Sequence, residues 1–208
     1  MISAIDATPP WRSALLLVVL ASSGCGKSPE LPALQPDSVI LAFGDSITHG
    51  TGANADESYP SVLSGLTGRK VINGGVPGEV SPDGLRRLPD LLKRHKPALV
   101  IVCHGGNDIL RKLDLRETTA NLERMIQLAR DRGAGVVLLG VPQPGLFLSS
   151  AEFYETVAES TGVLYLDDVI PEVLQHAATK SDHVHPNAAG YREVAQRIYA
   201  ALQDADAL

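Results

Sequence analysis

The chain has 208 residues, 44% of them hydrophobic and 20% charged. That fits one globular domain and excludes a disordered chain, a collagen-like fibre and a charge-rich coiled coil. The formal net charge of −6 argues against nucleic acid as a partner, because that binding needs a clustered basic face. Two cysteines, Cys25 and Cys103, cannot build a disulfide scaffold.

The first segment stands apart from the rest. Ala14–Ala21 (ALLLVVLA) is an unbroken apolar run. It is far shorter than the roughly 20 residues a spanning helix needs, and it fits the h-region of a secretory signal, about 7–15 residues long. Ala21, Ser22, Ser23 and Gly24 lead from it into Cys25. This pattern resembles a bacterial lipoprotein signal, in which the cysteine is lipidated and becomes the mature N-terminus. The Pro-rich, polar stretch that follows reads as a tether. The expected organisation is a signal peptide over 1–24, a tether over 25–37 and one domain over 38–208. The expected location is the periplasm or cell envelope, with a lipid anchor at Cys25.

The body alternates two kinds of segment. Ser38–Phe43, Lys70–Asn73, Ala98–Cys103, Gly135–Leu139 and Val163–Leu166 are short runs rich in Val, Ile and Leu. Continuous rather than alternating apolar runs suit parallel strands buried on both faces. Between them, Asp83–His95 carries Leu85, Leu88, Leu91 and Leu92 at helical spacing, with Pro89 expected to kink it or delay its start. Asp114–Arg132 repeats Leu115, Leu122, Met125, Ile126 and Ala129, with Asp114 and Glu117 as a capping box and Gly133 as a stop. Ser149 with Glu152 gives another start signal. Asn187–Leu202 closes the chain. This alternation predicts an α/β fold, a doubly wound parallel sheet with helices on both faces. Ligands of such sheets sit at the carboxyl ends of the strands.

Those ends carry chemistry. Gly44-Asp45-Ser46 follows the first strand, Val76-Pro77-Gly78 the second, and Gly105-Gly106-Asn107-Asp108 the third. Asp182-His183-Val184-His185-Pro186 lies near the C-terminus. A serine hydroxyl is a poor nucleophile at neutral pH and needs an adjacent base, itself oriented by a third group. The spacing of Asp182 and His185 lets one turn present the carboxylate to the near ring nitrogen and leave the far one free. A tetrahedral intermediate needs donors at its oxyanion. The N–H of Ser46, the N–H of Gly78 and the Asn107 amide are candidates.

Four blocks, Phe43-Gly44-Asp45-Ser46-Ile47-Thr48, Gly78, Asn107 and Asp182-His183-Val184-His185-Pro186, match in order the blocks of the SGNH (GDSL-type) esterase/lipase family. The chain therefore resembles that family over nearly all of its expected domain. The wording is most similar to small bacterial arylesterases, acyl thioesterases and lysophospholipases. The resemblance implies Ser46 as nucleophile, Asp182 and His185 as the acid–base pair, and Ser46, Gly78 and Asn107 as the oxyanion site. It also implies a three-layer, flavodoxin-like five-stranded sheet ordered 2-1-3-4-5. No cofactor or metal is called for, and a monomer is expected.

Apolar residues in loops hint at the substrate. Ile109, Leu110 and Leu113 follow the Asn107 turn, and Leu146, Phe147 and Leu148 follow the fourth strand. They are read as a groove for the acyl chain of a small ester, thioester or lysophospholipid. The rival reading is a metal-dependent phosphoesterase using Asp45, His49, His104, Asn107, Asp108, Asp182, His183 and His185. It would leave Ser46 without a task.

Overall fold

A computed structural model describes Met1, residues 31–143 and residues 148–208. In chain order its elements are β1 (Val39–Gly44), α1 (Ser46–His49), α2 (Tyr59–Thr67), β2 (Lys70–Gly75), α3 (Ser81–His95), β3 (Leu99–Cys103), α4 (Gly106–Leu110), α5 (Leu115–Arg130), β4 (Gly135–Leu139), α6 (Phe153–Thr161), β5 (Leu164–Leu166), α7 (Val169–Gln175) and α8 (Ala188–Asp204).

The strands form one sheet in the order β2-β1-β3-β4-β5, and every pairing is parallel. Ile40 to Phe43, Leu99 to Cys103 and Val136 to Leu139 are all buried, which is why these strands read as unbroken apolar runs rather than alternating ones. Each such side chain contributes roughly 1.5–3 kcal/mol on burial. One helical layer holds α2, α7 and α8, and the other holds α3, α5 and α6. The expected three-layer fold and strand order are found.

The expected helices are present, with shifted ends. α3 begins at Ser81, two residues early, because Pro82 fits a first turn where no N–H is needed. Pro89 lies inside α3 without ending it. Burial of Leu88 and Leu92 offsets the roughly 3 kcal/mol a helix-interior proline costs. The Asp114 side chain caps α5 through the Arg116 N–H, and the Asn187 side chain caps α8 through the Gly190 N–H. Ser149 does not start a helix; Glu152 itself is the residue before α6, and it makes no side-chain cap.

The described part of the expected tether is docked. Leu34 is buried in the core. Its N–H donates to Ala207 O at 2.8 Å, and Arg69 Nη2 donates to its carbonyl at 2.6 Å. Arg69 Nε also donates to Gln35 O at 3.1 Å, and Leu31 packs against the core, so several contacts seat this stretch. Cys25 and residues 1–24, apart from Met1, lie outside the described residues.

The register sets up the site. Gly44 stands level with Gly75 on one side and Cys103 on the other. The chain order reverses between β1 and β3, so the crevice of this sheet opens at their carboxyl ends.

Candidate active site

Ser46 is the first residue of α1, directly after β1. Asp45, the residue between them, is almost fully buried, and its Oδ1 accepts from the Ile47 N–H at 3.1 Å. That bond turns the chain sharply and leaves Ser46 at the crevice.

The segment 181–186 is folded by its own aspartate. Asp182 Oδ1 accepts from the N–H groups of Val184 and His185 at 2.8 and 2.9 Å, and the Ser181 N–H donates to His185 O at 2.9 Å. Lys180 and Pro186 close the base as an antiparallel bridge. The second carboxylate oxygen, Oδ2, accepts a hydrogen bond from Nδ1–H of His185 at 2.8 Å. A spacing of three residues therefore serves both purposes, shaping the turn and orienting the ring.

With Nδ1 donating, Nε2 is free to accept, and it lies 3.0 Å from Ser46 Oγ. Desolvation acts to raise the Asp182 carboxyl. Hydrogen bonds from the His185 ring and the two backbone N–H groups outweigh it and hold the group below its usual range. The carboxylate stays charged and fixes the neutral histidine in this tautomer.

Two further donors face the same cavity, of about 650 Å³, that Ser46 and His185 line: Gly78 and Asn107. Asn107 sits on α4 after β3, and its Nδ2 donates to Asp45 Oδ2 at 3.1 Å. An amide carries two such hydrogens, so the other remains for a ligand. Burial pushes the Asp45 carboxyl up, against the pull of its neighbours. Gly78 has φ +76, and the Glu79 N–H donates to Val76 O at 3.2 Å. Pro77 followed by a left-handed residue is a type II turn, whose third position favours glycine.

The groove expectation is partly revised. Leu110 and Leu148 line the cavity. Ile109 instead packs against the core, and Leu113 is exposed outside the cavity lining. Helix α4 turns Ile109 away, because only one face of a single helical turn meets the crevice, and Leu113 lies beyond the end of α4. Leu146 and Phe147 lie outside the described residues. Val141, Pro142, Leu174 and Val184 complete the apolar wall. Leu174 and Val184 carried no sequence signal for this, since one belongs to a buried helix and the other sits between two histidines.

The rival ligand set is scattered. His49 is exposed at the end of α1. Asp108 is buried on Ser81 and Thr118. His104 is fully buried; its Nδ1 accepts from the Gly105 N–H, so Nε2 donates to Glu79 at 3.1 Å. His183 lines the cavity, but it is His185 that meets Ser46. Among the described residues no group of three or more His, Cys, Asp or Glu is placed to hold a metal ion. Cys103 is buried, and desolvation pushes its thiol well up, so it is inert.

Sequence reasoning missed the supports behind the site. Glu79 accepts from Arg87 Nε and Nη2 at 2.7 and 2.6 Å. Arg87 Nη2 also donates to Gly74 O and Gly44 O, at 2.8 and 3.2 Å, with the guanidinium over the Phe43 ring. One side chain thus ties together the ends of β1 and β2. Its position next to Leu88 on an amphipathic helix was the only available hint.

Residues 42–193 match the model of the GDSL-like lipase/acylhydrolase family. The chain is 35% identical to an arylesterase of Vibrio mimicus over 169 residues, 74% of this chain and 82% of the relative. It is 31% identical over 156 residues to the Escherichia coli K12 protein called thioesterase 1/protease 1/lysophospholipase L1, covering 71% of this chain and 75% of the relative. The crystal structure of TesA superposes with a TM-score of 0.74 at 28% identity, covering 81% of this chain and 99% of that one.

Proposed function

Because this chain belongs to the GDSL-like lipase/acylhydrolase family, we propose that it hydrolyses carboxylic acyl esters or thioesters through Ser46, His185 and Asp182. The observation that carries this reading is the unbroken relay Asp182–His185–Ser46, at 2.8 and 3.0 Å, opening into a cavity with an apolar wall.

The steps follow from the geometry. Ser46 Oγ attacks the acyl carbon while His185 Nε2 takes its proton. The oxyanion that forms is held by the N–H of Ser46, the N–H of Gly78 and the free hydrogen of the Asn107 amide. Each such donor is worth about 3–4 kcal/mol in the transition state. The bond to the leaving alcohol or thiol breaks as His185 returns the proton. Water then attacks the acyl-enzyme with His185 again as base, the acyl–Oγ bond breaks as His185 returns the proton to Ser46, and the acid leaves. Asp182 stays ionised and stabilises the imidazolium.

The wall of Leu110, Val141, Pro142, Leu148 and Leu174 supports an acyl chain rather than acetate alone, so lysophospholipids and fatty thioesters are fitting substrates. A panel of p-nitrophenyl esters from about two to twelve carbons tests this. Rising kcat/KM with chain length, lost in Ser46→Ala, is expected. A sharp preference for acetate contradicts the acyl groove, and activity retained in Ser46→Ala contradicts the mechanism.

The enzyme acts, on this proposal, as an exported monomer tethered at the cell envelope by a lipid on Cys25. Metabolic labelling with palmitate, lost in Cys25→Ser, is the expected result; no label on the wild-type chain contradicts the anchor.

A further inference from the structure

We propose that Arg111 is a positioning residue of the oxyanion site, fixing the Gly78 turn against the helix that carries Asn107. The inference rests on the esterase reading above and adds a residue to it.

Two bonds carry it. Arg111 Nη2 donates to Gly78 O at 2.7 Å, across 33 residues of chain. The Arg111 backbone N–H donates to Asn107 O at 3.0 Å. One residue is therefore bonded both to the turn that presents a backbone donor and to the residue that presents the amide donor. The relative placement of the two donors runs through it.

The turn needs such a hold. Gly78 has no side chain and sits at φ +76, so its own torsions restrain it little. A methyl group built at its Cα would meet one atom within 4 Å beyond its chain neighbours, and that atom is Arg111 Nη2 at 3.6 Å. The next residue is pinned from inside, because Glu79 is clasped by Arg87 and His104. Gly78 itself is thus held on its outer side by the guanidinium. The Gly78 carbonyl also caps the guanidinium with a neutral acceptor, and among the described residues Arg111 has no carboxylate partner. An oxyanion donor acts only if it is in place beforehand, since its advantage is that nothing reorganises during the reaction.

Arg111 is exposed, so its removal leaves the core intact. Arg111→Ala is expected to lower kcat about tenfold, as a misplaced donor would, with KM within about twofold and the melting temperature unchanged. Arg111→Lys keeps the charge and one donor and falls between the two. Guanidinium chloride at low millimolar concentration restores part of the lost kcat in Arg111→Ala, whereas sodium chloride at equal ionic strength does not. A wild-type kcat in Arg111→Ala overturns the proposal, as does a loss that guanidinium and sodium chloride affect alike. Ser46→Ala and Asn107→Ala run beside it separate the two levels. If both are inactive and Arg111→Ala is normal, the positioning role alone fails. If Ser46→Ala turns over, the esterase reading fails.

Discussion

His185 Nε2 lies 3.0 Å from Ser46 Oγ, although 139 residues of chain separate them. What brings them together is a close approach behind the pair. A Cβ on Gly52 would stand 2.2 Å from Ser181 Oγ and 2.6 Å from Pro186 O, and Gly52 has φ +100. Gly52→Ala is therefore expected to push the His185 segment off Ser46. It should lower kcat about 100-fold while every reacting group remains, since shifts on the order of 1 Å have such effects. A kcat near wild type would show that the segment yields elsewhere.

Asp182→Asn removes the group that fixes the His185 tautomer and shapes its turn. kcat should fall about 10²–10⁴-fold with little change in KM. Because Asp182 is held below the usual carboxylate range, it remains charged between about pH 5 and 8. Asp182 should therefore contribute no step of its own to the wild-type rate over that range. A carboxyl signal of Asp182 that titrates within it, followed by carbon NMR, would contradict this.

Asn107 has two tasks, and its loss should show both. Asn107→Ala removes an oxyanion donor, which lowers kcat about 10²–10³-fold. It also leaves buried Asp45 short of a donor, costing about 1–3 kcal/mol in urea unfolding at pH 7. A variant as stable as wild type would mean that Asp45 finds another partner.

Glu79 links the site to pH-dependent stability. Desolvation acts to raise its carboxyl, but His104 and Arg87 lower it below its usual value. A group whose folded pKa is depressed contributes stability above its unfolded pKa and loses it as pH falls through the folded one. Glu79→Gln should be about 1–3 kcal/mol less stable than wild type at pH 7, and the gap should close on acidification below the carboxylate range. A constant gap in urea unfolding across pH would contradict this.

The strands, their parallel character and the four polar loops were legible because each has a local cause, whereas the strand order came only from the family resemblance. Runs such as Ile40–Phe43 are apolar throughout because both faces are covered, and the Asp182–His185 spacing is itself a turn. Helices α2 and α7 were not read, since YPSVLSGLT and VIPEVLQ are short and are held by tertiary packing. The contacts of Arg87 and Arg111 could not be read either. Both bonds run to backbone carbonyls far along the chain, and a carbonyl leaves no mark in a sequence. The turning of Ile109 away from the cavity was hidden for a similar reason, because it depends on how one turn of helix meets the crevice.

The central claim is that Ser46 is the nucleophile. Reaction with a fluorophosphonate, followed by mass spectrometry of the digested protein, tests it most directly. One adduct per chain is expected, on the peptide containing Ser46. EDTA should leave the labelling unaffected, and Ser46→Ala should abolish it together with esterase activity. An unlabelled Ser46 in active enzyme, or esterase activity retained in Ser46→Ala and abolished by EDTA, would contradict it.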